Sequence, residues 1–287
     1  LEKSSEDRNI MSSPRHTNQQ YLKNEQYNSA SNLSARIRLH QDYGMHPERS
    51  LMAWQFDHIL QHVSDMATVL EVGTGRGDLW HENEARIPAG WDITLTDLSA
   101  GMLADNRKLL GSLSGHMQYD VVDAMQIPYA DNSFDVVFAN YMLYHVPDRE
   151  QTLREIRRVL KPNGVLFACT NGDNHMGMIY VLAGQVDEVT AWETVFKRTF
   201  SLQNGTAQLM PHFSDIRMVQ FHNDLWVTDT EPIIDYIASM VSLDGKNIVA
   251  NHGAEMRKDI DERIARDGGI LIKKETGLFI AQGAFDA

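Results

Sequence analysis

The chain has 287 residues, 43% of them hydrophobic, which is enough to build a sizeable core. Acidic residues outnumber basic ones by 39 to 26, and the net charge of −13 opposes binding to a nucleic-acid backbone or an anionic membrane surface. A single cysteine, Cys169, rules out an intrachain disulfide, and no apolar run reaches the roughly 18 residues of a membrane span, so a cytoplasmic setting is expected.

The first twenty residues are polar and do not read as a signal peptide. Residues 1–20 are expected to be a tail outside the fold, with Met11 a natural start and residues 1–10 an extension. A short helix is expected from near Ser31 to Gly44, and a second through "PERSLMAWQFDHILQHV", with the proline at its first turn. Strands are expected at 68–72, 93–97, 117–123, 134–140 and 164–170. Helical stretches separate them: one opens at Ser99, and another, "DREQTLREIRRVLKPNG", runs up to its proline and glycine. Strands alternating with helices imply a parallel α/β sheet covered on both faces. Beyond Thr170 the pattern turns helical, then gives one strand at 216–227, helices at 231–243 and 253–267, and a closing strand or hairpin turning near Glu275 to Gly277.

The informative stretch is "VLEVGTGRGDLW", residues 69–80, with glycine at 73, 75 and 77 just after a buried strand. Bare backbone there lets a ligand approach the main chain and use its N–H groups. The spacing departs from a dinucleotide fingerprint at Asp78, and no G-K-[ST] ending makes it a phosphate loop. Glu71 beside the loop disfavours phosphate and suits a ligand with a positive centre. Asp97, at the end of the second strand, stands where α/β sheets place an acceptor for two ribose hydroxyls, although it could equally cap the helix at Ser99. Asp123 ends the third strand, where its carboxylate could meet the exocyclic amine of a base. A glycine loop, three strand-end acids and no phosphate binder together suggest adenosine joined to a zwitterion, as in S-adenosylmethionine.

Taken in order, "VLEVGTGRGDLW", "ITLTDLSAGML", "VVDAMQIPYADNSFDVVFANYMLYHVPD" and "RRVLKPNGVLFACT" resemble the successive motifs of class I S-adenosylmethionine-dependent methyltransferases over roughly residues 66–170. The resemblance implies a Rossmann-like doubly wound seven-stranded sheet whose last strand is antiparallel, with an N-terminal helical lid and a helical insertion after the fifth strand. It implies one methyltransferase domain over 21–287: a cap at 21–64, the cofactor core at 66–170, a substrate-side insertion at 175–212, and the remaining sheet and helices at 213–287. It also implies that Gly73, Thr74, Gly75 and Gly77 pass the methionyl part, that Glu71 supports its amine, and that Asp97 binds ribose. Asp123 and Ala124 would meet adenine, Leu98 and Met102 would pack on it, and Asn140 would close the fourth strand beside the sulfonium.

The acceptor is expected outside the strand ends, over Asn140 and the loop bearing Tyr144 and His145. His145 is a candidate base or a brace for that loop; Tyr27, with Tyr21 and Arg36, is a candidate from the N-terminal arm folded over the site. Tyr180, Trp192, Phe196, Phe200, His212 and Phe213 would wall the acceptor pocket and favour an apolar or aromatic small molecule of secondary or cofactor metabolism. The pair His58 and His62 lacks a third ligand, so no metal is expected, and the basic residues of "LREIRRVLK" read as a solvated helix face. Two alternatives stay open: a cofactor-binding scaffold without catalysis, and a protein methyltransferase.

Overall fold

Val69 to Val72 carry apolar or buried side chains at consecutive positions, so this strand is covered on both faces. A computed structural model describes residues 30–46, 48, 50–184, 199–240 and 245–283. Strand β1 (Met66–Val72) lies at the centre of a seven-stranded sheet with β2 (Gly90–Asp97), β3 (Met117–Val121), β4 (Phe134–Phe138), β5 (Leu160–Asn171), β6 (Asp215–Phe221) and β9 (Thr276–Gln282). The order is β3-β2-β1-β4-β5-β9-β6. The first five strands pair in parallel, while β9 runs antiparallel to both β5 and β6. This is the expected Rossmann-like sheet, its final strand inserted between β5 and β6.

Alternation along the strands divides the core. Leu70, Val72 and Val137 meet Leu153, Ile156 and Val159 of helix α5 (Arg149–Val159) on one face. Val69, Leu95 and Phe138 meet Trp54, Phe56 and Ile59 of α2 (Leu51–Leu60), together with Leu79 and Trp80 of α3 (Asp78–Glu82), on the other. Each such buried side chain contributes about 1.5–3 kcal/mol. A third cluster joins Leu39 of α1 (Ala30–Tyr43), α6 (Gly177–Leu182), the two-stranded sheet of β7 (Leu225–Val227) and β8 (Ile270–Ile272), α8 (Thr230–Ala238) and α9 (Gly245–Asp267). The remaining helices are α4 (Ala100–Leu110) and α7 (Gly205–Leu209).

Four expectations need correction. The helix before β5 ends at Val159, not at the proline: Leu160 pairs with Phe134 and Val165 with Val136, so the residues between bulge out of the ladder. The residue before a proline is disfavoured in helical geometry, which forces this earlier exit. The single strand read over 216–227 is β6 and β7, which lie in different sheets. The closing segment is β8 and β9, again in different sheets, rather than a hairpin. Last, the helix expected at 253–267 already begins at Gly245.

Candidate active site

The turn from β1 to α3 carries the three glycines, all at positive φ. At Gly77 (φ 86) an added Cβ would lie 2.5 Å from the Asn106 side-chain nitrogen, so protein packing demands the glycine. At Gly75 (φ 56) the nearest atom to such a Cβ is Cε of Met102 at 3.7 Å, so this is the barer point of the loop. Beside Gly73 lies the side chain of Met142, which follows β4. The loop therefore sits between two methionines, one from α4 and one from beyond β4.

Glu71 is 2% exposed, and its carboxylate faces protein donors. Oε2 accepts from the Thr74 hydroxyl at 2.7 Å and the Trp80 indole at 2.6 Å, while Oε1 accepts from the Asn140 amide nitrogen at 2.9 Å. Burial pushes its pKa up against the pull of these three bonds. The Asn140 carbonyl in turn accepts from Gln55 of α2, so both ends of that amide are committed. Thr74 is also buried, and its hydroxyl accepts from Asn106. Glu71 and Thr74 thus brace the loop through bonds to Trp80, Asn140 and Asn106.

Asp97 holds the loop from the front. One carboxylate oxygen accepts the Gly75 amide at 3.0 Å and the other the Ser99 amide at 2.8 Å. Ser99 caps α4, so the cap reading of this turn belongs to the serine. Next door, the Val122 amide donates to the Asp97 carbonyl and brings the ends of β2 and β3 together. Asp123 accepts the Met125 amide at 3.0 Å, Ala124 is buried, and Leu98 and Met102 are half-buried alongside.

After β4 the chain turns through Tyr141, a non-glycine residue at φ 54. Such strain persists only where the surroundings fix it. The Tyr141 hydroxyl is bonded to Cys169 and Thr276, and burial drives its pKa far up; burial likewise pushes the Cys169 thiol up to about 12. The His145 amide donates to the Met142 carbonyl, the rings of Tyr144 and His145 lie 4.3 Å apart, and the Thr199 hydroxyl donates to the Tyr144 carbonyl. On α1, the Arg36 guanidinium donates to Ser239 at 3.0 and 2.7 Å, docking the described part of the arm on the end of α8. Tyr21, Tyr27, Trp192 and Phe196 lie outside the described residues. Tyr180, Phe200, His212 and Phe213 are buried: Phe200 and Phe213 belong to one core cluster and Tyr180 to another, which corrects their assignment to a pocket wall.

Sequence reasoning missed Gln55, Asn106, Trp80, Tyr141 and Met142. For two of them there was a signal. Asn106 lies between Leu103 and Leu110 on the apolar stripe of its helix, and Gln55 lies between Trp54 and Phe56, so each is a polar residue among core positions that needs a buried partner. Among the described residues no group of His, Cys, Asp or Glu is arranged to hold a metal ion, and the His62 ring is bonded to the His58 carbonyl. No described helix is long and apolar enough to cross a membrane. Arg158 is tied to Glu155, Asp131 and the carbonyls of Ile127 and Tyr129, so the basic side of α5 pins a loop.

A bare loop set among carboxylates fits a cationic nucleoside better than a phosphate, since each acid would repel the latter. Comparison with known proteins agrees. A family described as a methyltransferase domain matches residues 70–168, the span that holds the loop, Asp97, Asp123 and Asn140. With the sheet order, that match makes this span a methyltransferase domain of the class I, Rossmann-like type. The chain is 36% identical over 98 residues to the ubiquinone/menaquinone biosynthesis C-methyltransferase UbiE of Idiomarina loihiensis, covering 33% of this chain and 39% of that protein. It is 34% identical over 102 residues to 27-O-demethylrifamycin SV methyltransferase of Amycolatopsis mediterranei, covering 34% and 36%. The chain therefore spans under two fifths of the length of these relatives. Phosphoethanolamine N-methyltransferase 2 of Haemonchus contortus, solved with S-adenosyl-L-methionine, shares the fold at a TM-score of 0.53 and 18% identity, over 92% of this chain and 59% of that one.

Proposed function

We propose that the protein is an S-adenosylmethionine-dependent methyltransferase acting on a small molecule. The observation that carries this reading is the Gly75 amide bonded to Asp97 with Asp123 at the adjacent strand end, which gives a half-buried turn of backbone a bonded carboxylate and a second acid beyond it, while the loop's own cation, Arg76, is paired with Asp78. In this reading Asp97 accepts the ribose hydroxyls, Asp123 the adenine amine, and Leu98 and Met102 flank the base. Gly73, Gly75 and Gly77 line the methionyl part, and Asn140 is held rigid at its far end by Gln55 and Glu71.

The cofactor, when bound, supplies a methyl group on a positively charged sulfur. What the chain adds is position, which in favourable models of oriented reactants accounts for about 7–11 kcal/mol of a barrier. Gly75 and Asp97 fix one end, the Asn140 amide limits movement at the other, and the strained turn at Tyr141 closes over it. An amine acceptor would need no base, whereas a hydroxyl would need one, for which His145 is the candidate. Both named curated relatives are methyltransferases of small molecules, a quinone precursor and a rifamycin by their names, which supports an acceptor of that size from secondary or cofactor metabolism. Residues 66–170 would be the cofactor core, and the cluster of α1, α6, α8 and α9 with β7 and β8 would close its acceptor side. The single cysteine fits a cytoplasmic setting.

The test is calorimetry with S-adenosylhomocysteine on the wild type and Asp97→Ala. Loss of charge-assisted bonds should weaken binding by at least about tenfold. Equal affinity in the two proteins, or no heat with either, would overturn the reading.

A further inference from the structure

The carboxyl edge of the sheet holds a second concavity, beyond β5. A cavity of about 420 Å³ opens where β6 ends and β9 begins, lined by Phe221, His222, Asp224, Lys274 and Thr276 among others, a size that suits a small molecule. It shares walls with the site already described. Thr276 is bonded to the Tyr141 hydroxyl, one residue beyond Asn140. Phe221 packs on Trp54 with ring centroids 5.2 Å apart, and the next residue of α2, Gln55, donates to Asn140.

Two lysines line this cavity, the exposed Lys273 and Lys274, and Lys274 is the more buried of the two. Its ammonium is half-buried and lies 5.9 Å from the centroid of the Phe221 ring. Asp224 is near enough to favour the charge, but it spends Oδ1 on the Lys274 backbone amide at 2.8 Å, and no ion pair between the two side chains is formed. Glu275 is turned to the Asn174 amide and the Gln203 side chain, each at 3.2 Å. On the α1 side, Arg36 is bonded to Ser239, and His40 is neutral, pushed down to about 3 by burial and by the charges of Lys274 and Arg36. His40 Nδ1 is buried with no partner among the described residues. Burial therefore outweighs the pull of Asp224 and lowers the Lys274 pKa to about 8. A cation so placed gains most from an anionic partner brought into the cavity.

We propose that this cavity is the acceptor's subsite and that Lys274 receives a carboxylate of that small molecule. Naming the occupant as the methyl acceptor rests on the methyltransferase reading; the anion site itself rests on the cavity alone.

The probes are 4-methylbenzoate and 4-methylbenzamide, equal in shape and different in charge from pH 7 to pH 9, titrated into the full chain with binding followed by ligand-detected NMR. The benzoate should bind at least about tenfold tighter than the amide, as expected of a charge-assisted bond. Lys274→Met should bring the benzoate down to the affinity of the amide, while Lys274→Arg keeps the difference. In the wild type the difference should also shrink from pH 7 to pH 9, as Lys274 loses its proton. Equal binding of the two probes, no binding of either at millimolar concentration, or an unchanged benzoate affinity in Lys274→Met would overturn the proposal. So would tighter binding at pH 9, which would make Lys274 a proton acceptor. If Lys274→Met fails to fold, the charge and pH comparisons on the wild type still decide. Calorimetry with S-adenosylhomocysteine separates the two readings. Benzoate binding without cofactor binding would leave the anion site standing and remove the methyltransferase; the reverse would remove only the subsite.

Discussion

The two halves of the sheet's carboxyl edge are assembled in different ways. Over β1, β2 and β4 the site is built from segments 22 to 85 residues apart, from the Gly75–Asp97 bond to the Gln55–Asn140 bond. Over β5, β9 and β6 the separations run from 50, for Asp224 bonded to the Lys274 amide, to 101, for Glu275 bonded to the Asn174 amide. The first half can be written as a motif because each loop needs particular residues for its own backbone geometry. The second half exists only once β9 has been inserted between β5 and β6. The charges there, Lys274 and Asp224, carry no local signature.

If the first half is preset by its own contacts, disturbing one contact should cost stability well beyond the backbone conformation involved. Gly77 and Gly268 offer the comparison, since both sit near φ +80, at 86 and 80, but only Gly77 has a neighbour against it. Gly268→Ala should cost about 1–2 kcal/mol for the left-handed conformation alone. Gly77→Ala should cost about 3–4 kcal/mol, because Asn106 cannot give way without losing its bonds to Thr74 and to the Gly75 carbonyl. Urea unfolding of the two variants measures the gap. Similar losses in both would mean the loop is held by something other than Asn106.

This division explains what could be read from the chain alone. Glycines at 73, 75 and 77 and acids at 97 and 123 announce themselves because few other residues serve there, and the inner strands β1, β4 and β5 follow from their apolar runs. The aromatic residues after β5 misled, because an aromatic side chain packs a core as readily as it lines a pocket: Phe200 and Phe213 are fully buried. The break in 216–227 did have a signal, since His222, Asn223 and Asp224 are three consecutive polar residues that interrupt the alternation of a strand. In the fold that short polar stretch ends one sheet and starts the other, and Asn223 spends its side chain on the backbone of His46.

A smaller effect is expected from charge at the back of the loop. Asn140→Asp exchanges a donor to Glu71 for a second carboxylate, while Gln55 can still donate to it. Two carboxylates in contact, one buried and one half-buried, cannot both ionise easily, so the pair should hold a proton. The folded pKa of Glu71 is already raised by burial, so its contribution to stability is greatest at low pH and is lost as pH rises through that value. The variant strengthens this trend in the same direction. Its deficit against the wild type should be about 2 kcal/mol at pH 8 and shrink toward pH 5, measured by urea unfolding at both. A deficit that grows on acidification would show that Asn140 does not face the Glu71 carboxylate.

The smallest effect concerns Asp123, and it asks how far the local logic extends along the edge. Asp97 is fastened to the glycine loop itself, whereas Asp123 accepts the Met125 amide in its own turn. If Asp123 also accepts the exocyclic amine of the base, the wild type should prefer S-adenosylhomocysteine to its inosine counterpart, which presents a carbonyl at that position. One bond to a charged acceptor corresponds to about a tenfold preference. In Asp123→Asn the side chain can still accept the Met125 amide through its carbonyl, so the turn should survive. It loses the charge and gains a donor, so the preference should fall to about threefold or less, with little change in stability. Calorimetry with the two nucleosides on both proteins reads this directly. An equal preference before and after the change would confine Asp123 to its turn, and would leave Asp97 as the acid that reads the nucleoside.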